Sequence, residues 1–295
     1  SLRQVCGFTR DFTILSWNIL APGYADPEKF PATDPRYLEW SYRESLIVDR
    51  IEKHNASVVC LQEVQLDLWS DLRDKLREIG YKAAIQTVSD GHPVALAVFV
   101  RKDFGRIENV ESRSRALIAV IRVHNLDNPI FLANVHLEAG MRKDANKVRF
   151  CQIRSLIKRL NNHVMKHGCS ENAYVVIAGD FNMLSNNPVY AFLNTGNLPP
   201  DQDVTEKRII NPPLLPLHDA YRIKKPKDGP VHRTYRNGFV LDYVWVSDTI
   251  KVAETIQCHE DASKRRRAAW PSSDQPSDHL PVGATLSLAL PKERL

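Results

Sequence analysis

Apolar residues along the chain fall into short runs of strand length and longer segments with helical spacing. The runs at residues 58–62, 94–100 and 174–180 are rich in β-branched residues, which is typical of buried strands. Turn-forming Asn, Asp and Pro residues near 125–129 suggest that some of these strands follow one another directly. The same pattern predicts strands at residues 12–18, 81–85, 116–121, 130–132, 240–246 and 281–290.

Amphipathic segments alternate with these strands. Apolar residues recur with helical spacing at residues 38–54, 66–79 and 144–166, and a short helix is expected at 188–193. In the segment 144–166 the apolar face is expected to consist of Val148, Cys151, Leu156, Ile157, Leu160 and Val164.

Interleaved strands and helices favour sheets inside and helices outside. The strands at 81–85, 94–100 and 116–121 are expected to form an antiparallel meander. The Pro-rich segment 197–230 is interpreted as a long surface insertion that could contact substrate. No linker divides the chain, so a single domain over residues 1–295 is predicted.

Composition narrows the function classes only slightly. The chain has 295 residues, 43% of them hydrophobic, with a formal net charge of +5. This modest positive balance fits a polyanionic partner but does not separate nucleic acid from a phosphorylated small molecule. No apolar run reaches membrane-spanning length, so no membrane partner is expected.

The cysteine pattern predicts the compartment. The five cysteines are scattered without CxxC spacing, which favours reduced core residues in an intracellular protein. The cytoplasm or nucleus is therefore expected, or an organelle if a targeting segment has been removed upstream of Ser1.

The segment Gly179-Asp180-Phe181-Asn182 carries the first candidate chemistry. If the chain stays extended, Asp180 and Asn182 point the same way while Phe181 turns into the core. A carboxylate beside an amide suits a hydrated divalent cation or a phosphoryl group. The alternative is an Asx turn in which both side chains satisfy local backbone groups.

Similar polar endings occur at five other places. In chain order, the full set is Ser16-Trp17-Asn18, Leu61-Gln62-Glu63, Asn134-Val135-His136, Gly179-Asp180-Phe181-Asn182, Leu241-Asp242-Tyr243 and Ser277-Asp278-His279. This ordered set resembles the endonuclease/exonuclease/phosphatase superfamily. The resemblance implies a four-layer α/β sandwich of the deoxyribonuclease I type. In that fold two mixed β-sheets pack face to face, helices flank them, and the strand ends meet in one cleft.

The resemblance also implies roles for these residues. Glu63 would be the principal ligand of Mg²⁺, or of Mn²⁺, because an oxygen-rich site does not strongly separate the two ions. The alternative to a metal role for Glu63 is a glutamate side chain that extends into solvent. The alternative for Asn18 and Asp278 is that their side chains cap local turns. The metal residues implied are Asn18, Glu63 and Asp278, and the catalytic residues are His136, Asp180, Asn182, Asp242 and His279.

Within the superfamily, the segments SWNILA and CLQEV are most similar to the carbon-catabolite-repressor-type deadenylases and their relatives nocturnin, Angel and the 2′-phosphodiesterase. This resemblance implies a 3′-5′ exoribonuclease acting on single-stranded RNA. Residues 137–142 depart from the deadenylase pattern, and Asn237 stands where those enzymes have a base-stacking Phe.

The departures leave the substrate contacts open. Tyr235 or Phe239 could stack on a base in place of the missing Phe, and Arg265 could hold the RNA backbone or lie in a solvated loop. Two rivals remain: an enzyme acting on a nucleotide cofactor or other small phosphorylated substrate, and a non-catalytic module that kept the fold. Protein partners are not predicted.

Overall fold

The computed structural model describes residues 9–140, 142–197, 214–227, 233–256 and 269–289. Within these ranges twelve strands form two six-stranded sheets. The first sheet contains, in spatial order, β11 (Ile250–Thr255), β12 (Val282–Ala289), β1 (Thr9–Asn18), β2 (Val58–Gln65), β4 (Val94–Arg101) and β3 (Tyr81–Ile85).

The second sheet is mixed in the same way as the first. Its spatial order is β5 (Gly105–Arg113), β6 (Ala116–Val123), β7 (Ile130–His136), β8 (Tyr174–Asp180), β10 (Asp242–Val246) and β9 (His218–Asp219). β1 and β2 run parallel in the first sheet, β7 and β8 run parallel in the second, and the other neighbouring strands are antiparallel.

Helices cover the outer faces of the two sheets. The α-helices of the described residues are α1 (Trp40–His54), α2 (Trp69–Glu78), α3 (Lys143–Lys166), α4 (Pro188–Thr195) and α5 (Ala220–Ile223). One apolar cluster packs α1 and α2 on the first sheet, another packs α3 and α4 on the second, and a third lies between the sheets. None of the helices that the structure describes is long and apolar enough to cross a bilayer. The expected four-layer sandwich is therefore confirmed.

The predicted meander is wrong, because β3 and β4 belong to the first sheet whereas β6 belongs to the second. β5 and β11, which lie at the edges of the two sheets, were not predicted. The pattern missed β5 because most of its residues between Gly105 and Arg113 are polar and at least partly exposed. An edge strand needs no continuous apolar run.

Two further expectations are corrected. Val148 is 43% exposed and Cys151 is also exposed, so the first turns of α3 use Phe150 and Ile153 as their buried face instead. Cys60 and Cys169 are buried free thiols, as expected for reduced core residues, whereas the exposed Cys151 is not a core residue. Cys6 and Cys258 lie outside the described residues. The described part of segment 197–230 is not a pure surface insertion, because it contributes β9 and α5.

Gly179 allows β7 and β8 to approach closely just before the strand ends. Its φ is +150°, and a Cβ added there would lie 2.0 Å from the carbonyl oxygen of Val135. The parallel register pairs Val135 with Gly179 and His136 with Asp180. A side chain at this glycine would therefore push apart the two strands that carry His136 and Asp180.

Gly179→Ala is expected to destabilise the protein by roughly 3 kcal/mol, because the overlap is with backbone and cannot be relieved by a rotamer change. Urea unfolding measures the change. Gly23→Ala is the control, since its Cβ would meet Gln65 Oε1 at an ordinary 3.4 Å. Equal destabilisation by both substitutions would contradict the close approach of β7 and β8.

Candidate active site

The polar residues predicted from the motifs gather at one edge of the two sheets. β1 and β2 deliver Asn18 and Glu63 from the first sheet, and the ends of β7, β8 and β10 deliver residues from the second. The segment before β12 adds the last two residues. The predicted metal and catalytic residues here are Asn18, Glu63, His136, Asp180, Asn182, Asp242, Asp278 and His279.

Asn18 joins the two sheets at this edge. Its Nδ2 donates to Glu63 Oε1 at 3.0 Å and to Asp180 Oδ2 at 3.1 Å. Its Oδ1 accepts from the backbone N–H of Leu20 at 3.1 Å, so it also stabilises the following turn. The side chain thus bridges two carboxylates, one from each sheet, and its part in a metal shell stays a prediction.

Glu63 lies at a β-bulge in β2, and its backbone is left-handed, with a φ of 58°. Its side chain is 13% exposed, and its Oε2 accepts from the backbone N–H of Ala21 at 3.1 Å. The alternative of a glutamate extending into solvent is therefore wrong. Left-handed backbone is uncommon for a residue with a side chain and is often found at functional sites.

His136 lies between the carboxylates of the two sheets. Its Nε2 is 3.8 Å from Glu63 Oε1 and 3.6 Å from Asp180 Oδ2. The ring is partly exposed, at 18%, so one edge faces the solvent side of the cluster. This position lets His136 contact a ligand that also reaches Glu63 and Asp180.

Asp242 orients His279. Its Oδ2 accepts from His279 Nδ1 at 2.9 Å, and His279 Nε2 lies 3.7 Å from Asp180 Oδ2. Burial by itself lowers the pKa of His279, but the adjacent Asp242 and Asp180 carboxylates raise it well above its ordinary value. The raised pKa favours the protonated imidazole, whose Nδ1 is engaged with Asp242 and whose Nε2 faces Asp180.

Asp278 is buried beside the same cluster. Burial raises the pKa of its carboxyl group to about 6, with the cation of His279 acting in the opposite direction. Arg236 contacts it: its Nε is 4.0 Å from Asp278 Oδ2, and its backbone N–H donates to the Asp278 carbonyl at 2.8 Å. Arg236 was not predicted, although it stands between Tyr235 and Asn237.

The extended-chain expectation for Asn182 is wrong, because its φ is 51° and the strand ends at Asp180. The Asn182 backbone N–H donates to Asp180 Oδ1 at 2.9 Å, which is an Asx turn. Its side-chain amide donates to the Leu137 carbonyl at 3.0 Å, and Phe181 is buried as expected. Asp180 thus serves the turn with one oxygen and the cluster with the other.

The donor set suits a hard divalent cation. Among the described residues, Asp180, Asp242 and His279 offer ligand atoms within 4.8 Å of one another. His279 Nδ1 is engaged with Asp242, and Asp242 Oδ1 is buried with no hydrogen-bond partner. Buried carboxylate oxygens in excess of donors require positive charge, and oxygen ligands are those that Mg²⁺ and Mn²⁺ prefer.

The predicted substrate-binding residues lie on a turn beside His279. The ring of Tyr235 packs on the His279 ring, with centroids 4.7 Å apart, so this face of Tyr235 is covered. Asn237 lies at the exposed tip of the turn, and Phe239 is 39% exposed. Arg265 lies outside the described residues.

Arg43 is a buried residue to which sequence reasoning assigned no role. It is 0% exposed, and its guanidinium donates to the carbonyl groups of Ile19, Leu20 and Pro276 at 2.9–3.2 Å. Burial lowers its pKa to about 10. It ties the loop after β1 to the segment that leads into Asp278, and a lone arginine in a helix gives no sequence signal of such a clamp.

Known proteins resemble this chain in sequence. The Candida albicans CCR4-Not complex 3′-5′-exoribonuclease subunit Ccr4 is 23% identical, over 94% of this chain and 41% of that protein. Mouse 2′,5′-phosphodiesterase 12 is 26% identical, over 90% of this chain and 50% of that protein. The chain thus spans half or less of the length of these two relatives.

Solved structures show the same fold. ANGEL2, a 2′,3′-cyclic phosphatase, in complex with adenosine-2′,3′-vanadate, superimposes with a TM-score of 0.75 at 20% identity, over 96% of this chain and 97% of that one. The human Nocturnin catalytic domain gives a TM-score of 0.67 at 21% identity, over 97% of this chain and 98% of that one.

The family model extends across the whole candidate site. It matches residues 15–279, from the middle of β1 to the histidine held by Asp242. This span contains every strand end that contributes to the cluster. The chain therefore belongs to the Endonuclease/Exonuclease/phosphatase family.

Proposed function

We propose that this protein is a Mg²⁺-dependent phosphodiester hydrolase, acting as a 3′-5′ exoribonuclease on single-stranded RNA. The observation that supports it best is the convergence of Glu63, His136, Asp180 and His279 from two sheets. His136 Nε2 and His279 Nε2 lie 3.6 Å and 3.7 Å from the same oxygen, Asp180 Oδ2. A scissile phosphate and its attacking water are proposed to lie against these groups.

The proposed roles follow from the hydrogen bonds. Asp180 Oδ2, whose partner oxygen is held by the Asn182 backbone, accepts the proton of the attacking water. Asn182 thereby keeps this carboxylate oriented. His136 and His279 donate to nonbridging phosphate oxygens, where negative charge increases in the transition state. Asp242 fixes the ring of His279 and stabilises its cationic form.

The metal is proposed to bind at Glu63, with Asp278 and Asn18 as further metal residues. The neighbouring group of Asp180, Asp242 and His279 is assigned to catalysis instead, because Asp242 already holds the His279 ring. Glu63 keeps its carboxylate in place through hydrogen bonds from Asn18 and Ala21. A bound Mg²⁺, or Mn²⁺ in its place, would neutralise phosphate charge and make a nearby water more acidic.

The RNA assignment is supported by the relative from Candida, whose name includes 3′-5′-exoribonuclease, and by the surface beside the cluster. Arg113 and Arg115 line a small cavity of about 60 Å³ together with Gln152. The carbonyl of Arg115 accepts from the His136 backbone N–H at 3.1 Å, so this basic turn adjoins the site. Arg115 is paired with Glu138 at 2.9 Å, so the positive charge that a further phosphate of a chain would meet there is chiefly that of Arg113.

A second candidate is a phosphatase or phosphodiesterase acting on a nucleotide cofactor or other small phosphorylated substrate. It is favoured by Asn237, which occupies the exposed tip where the resembled deadenylases place a stacking Phe. The similarity to ANGEL2, a 2′,3′-cyclic phosphatase, and to a 2′,5′-phosphodiesterase agrees with this alternative. The third reading, a non-catalytic module, is disfavoured because the polar cluster is fully assembled.

Incubation with a 5′-labelled single-stranded oligoribonucleotide and Mg²⁺ is expected to give a ladder of products shortened from the 3′ end. Homopolymer RNAs and single-stranded DNA define base and sugar preference in the same assay. Phosphorylated cofactors tested in parallel address the second candidate. An oligoribonucleotide that stays intact while a small phosphate ester is hydrolysed would overturn the RNA assignment.

Glu63→Gln is expected to lower kcat by at least about a hundredfold, because it removes the charge that would hold the cation. Excess chelator should have the same effect on the unmodified protein, and added Mg²⁺ should reverse it. Glu108→Gln is the control, since Glu108 pairs with Arg122 on the surface at 2.9 Å. RNA cleavage that persisted in Glu63→Gln would refute the proposed mechanism.

Arg113→Ala is expected to raise KM for an oligoribonucleotide threefold to tenfold, corresponding to about 1 kcal/mol for one phosphate contact. KM for bis(p-nitrophenyl) phosphate should stay the same, because that diester fills only the catalytic centre. Arg106→Ala, on the same strand, is the control. Equal effects of Arg113→Ala on both substrates would remove Arg113 from RNA binding.

A further inference from the structure

β2 is interrupted where it delivers Glu63. Leu61 pairs with Ala97 of β4, but the next pair is Val64 with Ala95, so two residues of β2 stand against one of β4. The two are Gln62 and Glu63, and such an insertion is a β-bulge. The bulge bends the strand and accompanies the left-handed backbone of Glu63.

Asn134, from the other sheet, fills this interruption. Its Nδ2 donates to the carbonyl oxygens of Leu61 and Ala97, each at 2.9 Å, and so reaches both strands beside the bulge. Its Oδ1 accepts from Gln62 Nε2 at 2.7 Å. Both amide side chains are 0% exposed in the layer between the sheets, where Gln62 Nε2 also donates to the buried Ser16 hydroxyl at 3.0 Å.

The position of Asn134 links this contact to the site. Asn134 and His136 are two residues apart in β7 and so face the same side of the sheet. The same hydrogen bonds therefore hold the bulge of β2 against the end of β7. Glu63 Oε1 and His136 Nε2 face each other at 3.8 Å just beyond this contact.

We infer that Asn134 is a positioning residue for the cation site, through its hydrogen bonds to the β2 bulge. It touches neither the proposed substrate nor the reacting atoms, and it acts by fixing the backbone of Glu63. This inference rests on the proposed function, which supplies the role of Glu63.

The amide pair also has a structural role, because Asn134 supplies a donor to two buried backbone carbonyls at the bulge. Gln62 Oε1 is buried with no hydrogen-bond partner among the described residues, so the pair leaves one polar atom unsatisfied. An apolar pair at the same positions would avoid this penalty but would leave the Leu61 and Ala97 carbonyls without the Asn134 donor, so the role in positioning Glu63 is decided by metal affinity and not by stability. The geometry that only an amide can supply is a simultaneous donation to two carbonyl groups and acceptance from Gln62.

Asn134→Leu removes these hydrogen bonds at nearly constant volume. It is expected to weaken Mn²⁺ binding about 10- to 100-fold, as loss of a residue that orients a metal ligand usually does. Isothermal titration calorimetry with MnCl₂ and no substrate measures this directly. In the hydrolysis assay kcat should fall while KM for the substrate stays within about twofold, since no substrate contact is lost.

Leu132→Ala is the matched control for lost stability. Leu132 lies two residues before Asn134 on the same strand and faces the same layer between the sheets. Its truncation destabilises the core without touching the bulge, so Mn²⁺ affinity should be unchanged at temperatures where the protein is folded. Asn134→Ser, whose hydroxyl donates one hydrogen bond, is a milder second variant with an intermediate loss of affinity.

Combining Asn134→Leu with Glu63→Gln separates positioning from other effects. If Asn134 acts through Glu63, the double variant should bind Mn²⁺ no more weakly than Glu63→Gln alone. Unchanged Mn²⁺ affinity in folded Asn134→Leu, or an equal loss in Leu132→Ala, would overturn the inference. Failure of the proposed function would give a different result. In that case the unmodified protein and Glu63→Gln would bind Mn²⁺ with the same affinity.

Discussion

Four carboxylates from separate parts of the chain share one small, buried region, and their mutual repulsion is the constraint on which the site depends. Glu63, Asp180, Asp242 and Asp278 lie at the same edge of the sheets, and all but Glu63 are buried. Negatively charged carboxylates that lie close together in a buried, low-dielectric region repel one another strongly. The Asn18 amide and a protonated His279 would offset part of this repulsion, and the remainder would favour the binding of the proposed divalent ion.

The rest of the fold supplies the rigidity that this crowding requires. Each sheet alone holds only part of the cluster, so the two sheets must be held at a fixed separation and in a fixed register. Asn134 and Asn18 do this with hydrogen bonds across the interface, and Gly179 lets β7 and β8 approach without a side chain between them. A slip of one residue in either strand would turn its functional side chain away from the cluster.

Much of this arrangement could be predicted from the chain. Strand ends carry a strong local signal, a β-branched run followed by polar residues, and the motif order identified the sandwich. Sheet membership could not be predicted, because the period of an apolar run does not say which sheet the strand joins. The left-handed backbone of Asn182 was missed because alternation holds only while the chain stays extended. Arg236 and Arg43 were missed because an isolated arginine belongs to no motif or periodic pattern that would mark it as a buried or site residue.

The turn that carries Asn237 and Phe239 is physically linked to the segment that holds His279. The Leu280 backbone N–H donates to the Thr234 carbonyl at 2.7 Å, and Tyr235 pairs with His279 both as a backbone bridge and through its ring. The turn proposed to contact substrate is thus continuous with the segment that holds the His279 imidazole. If the turn contacts substrate as proposed, a mutation that reshapes it would also shift His279, so that selectivity and turnover would change together.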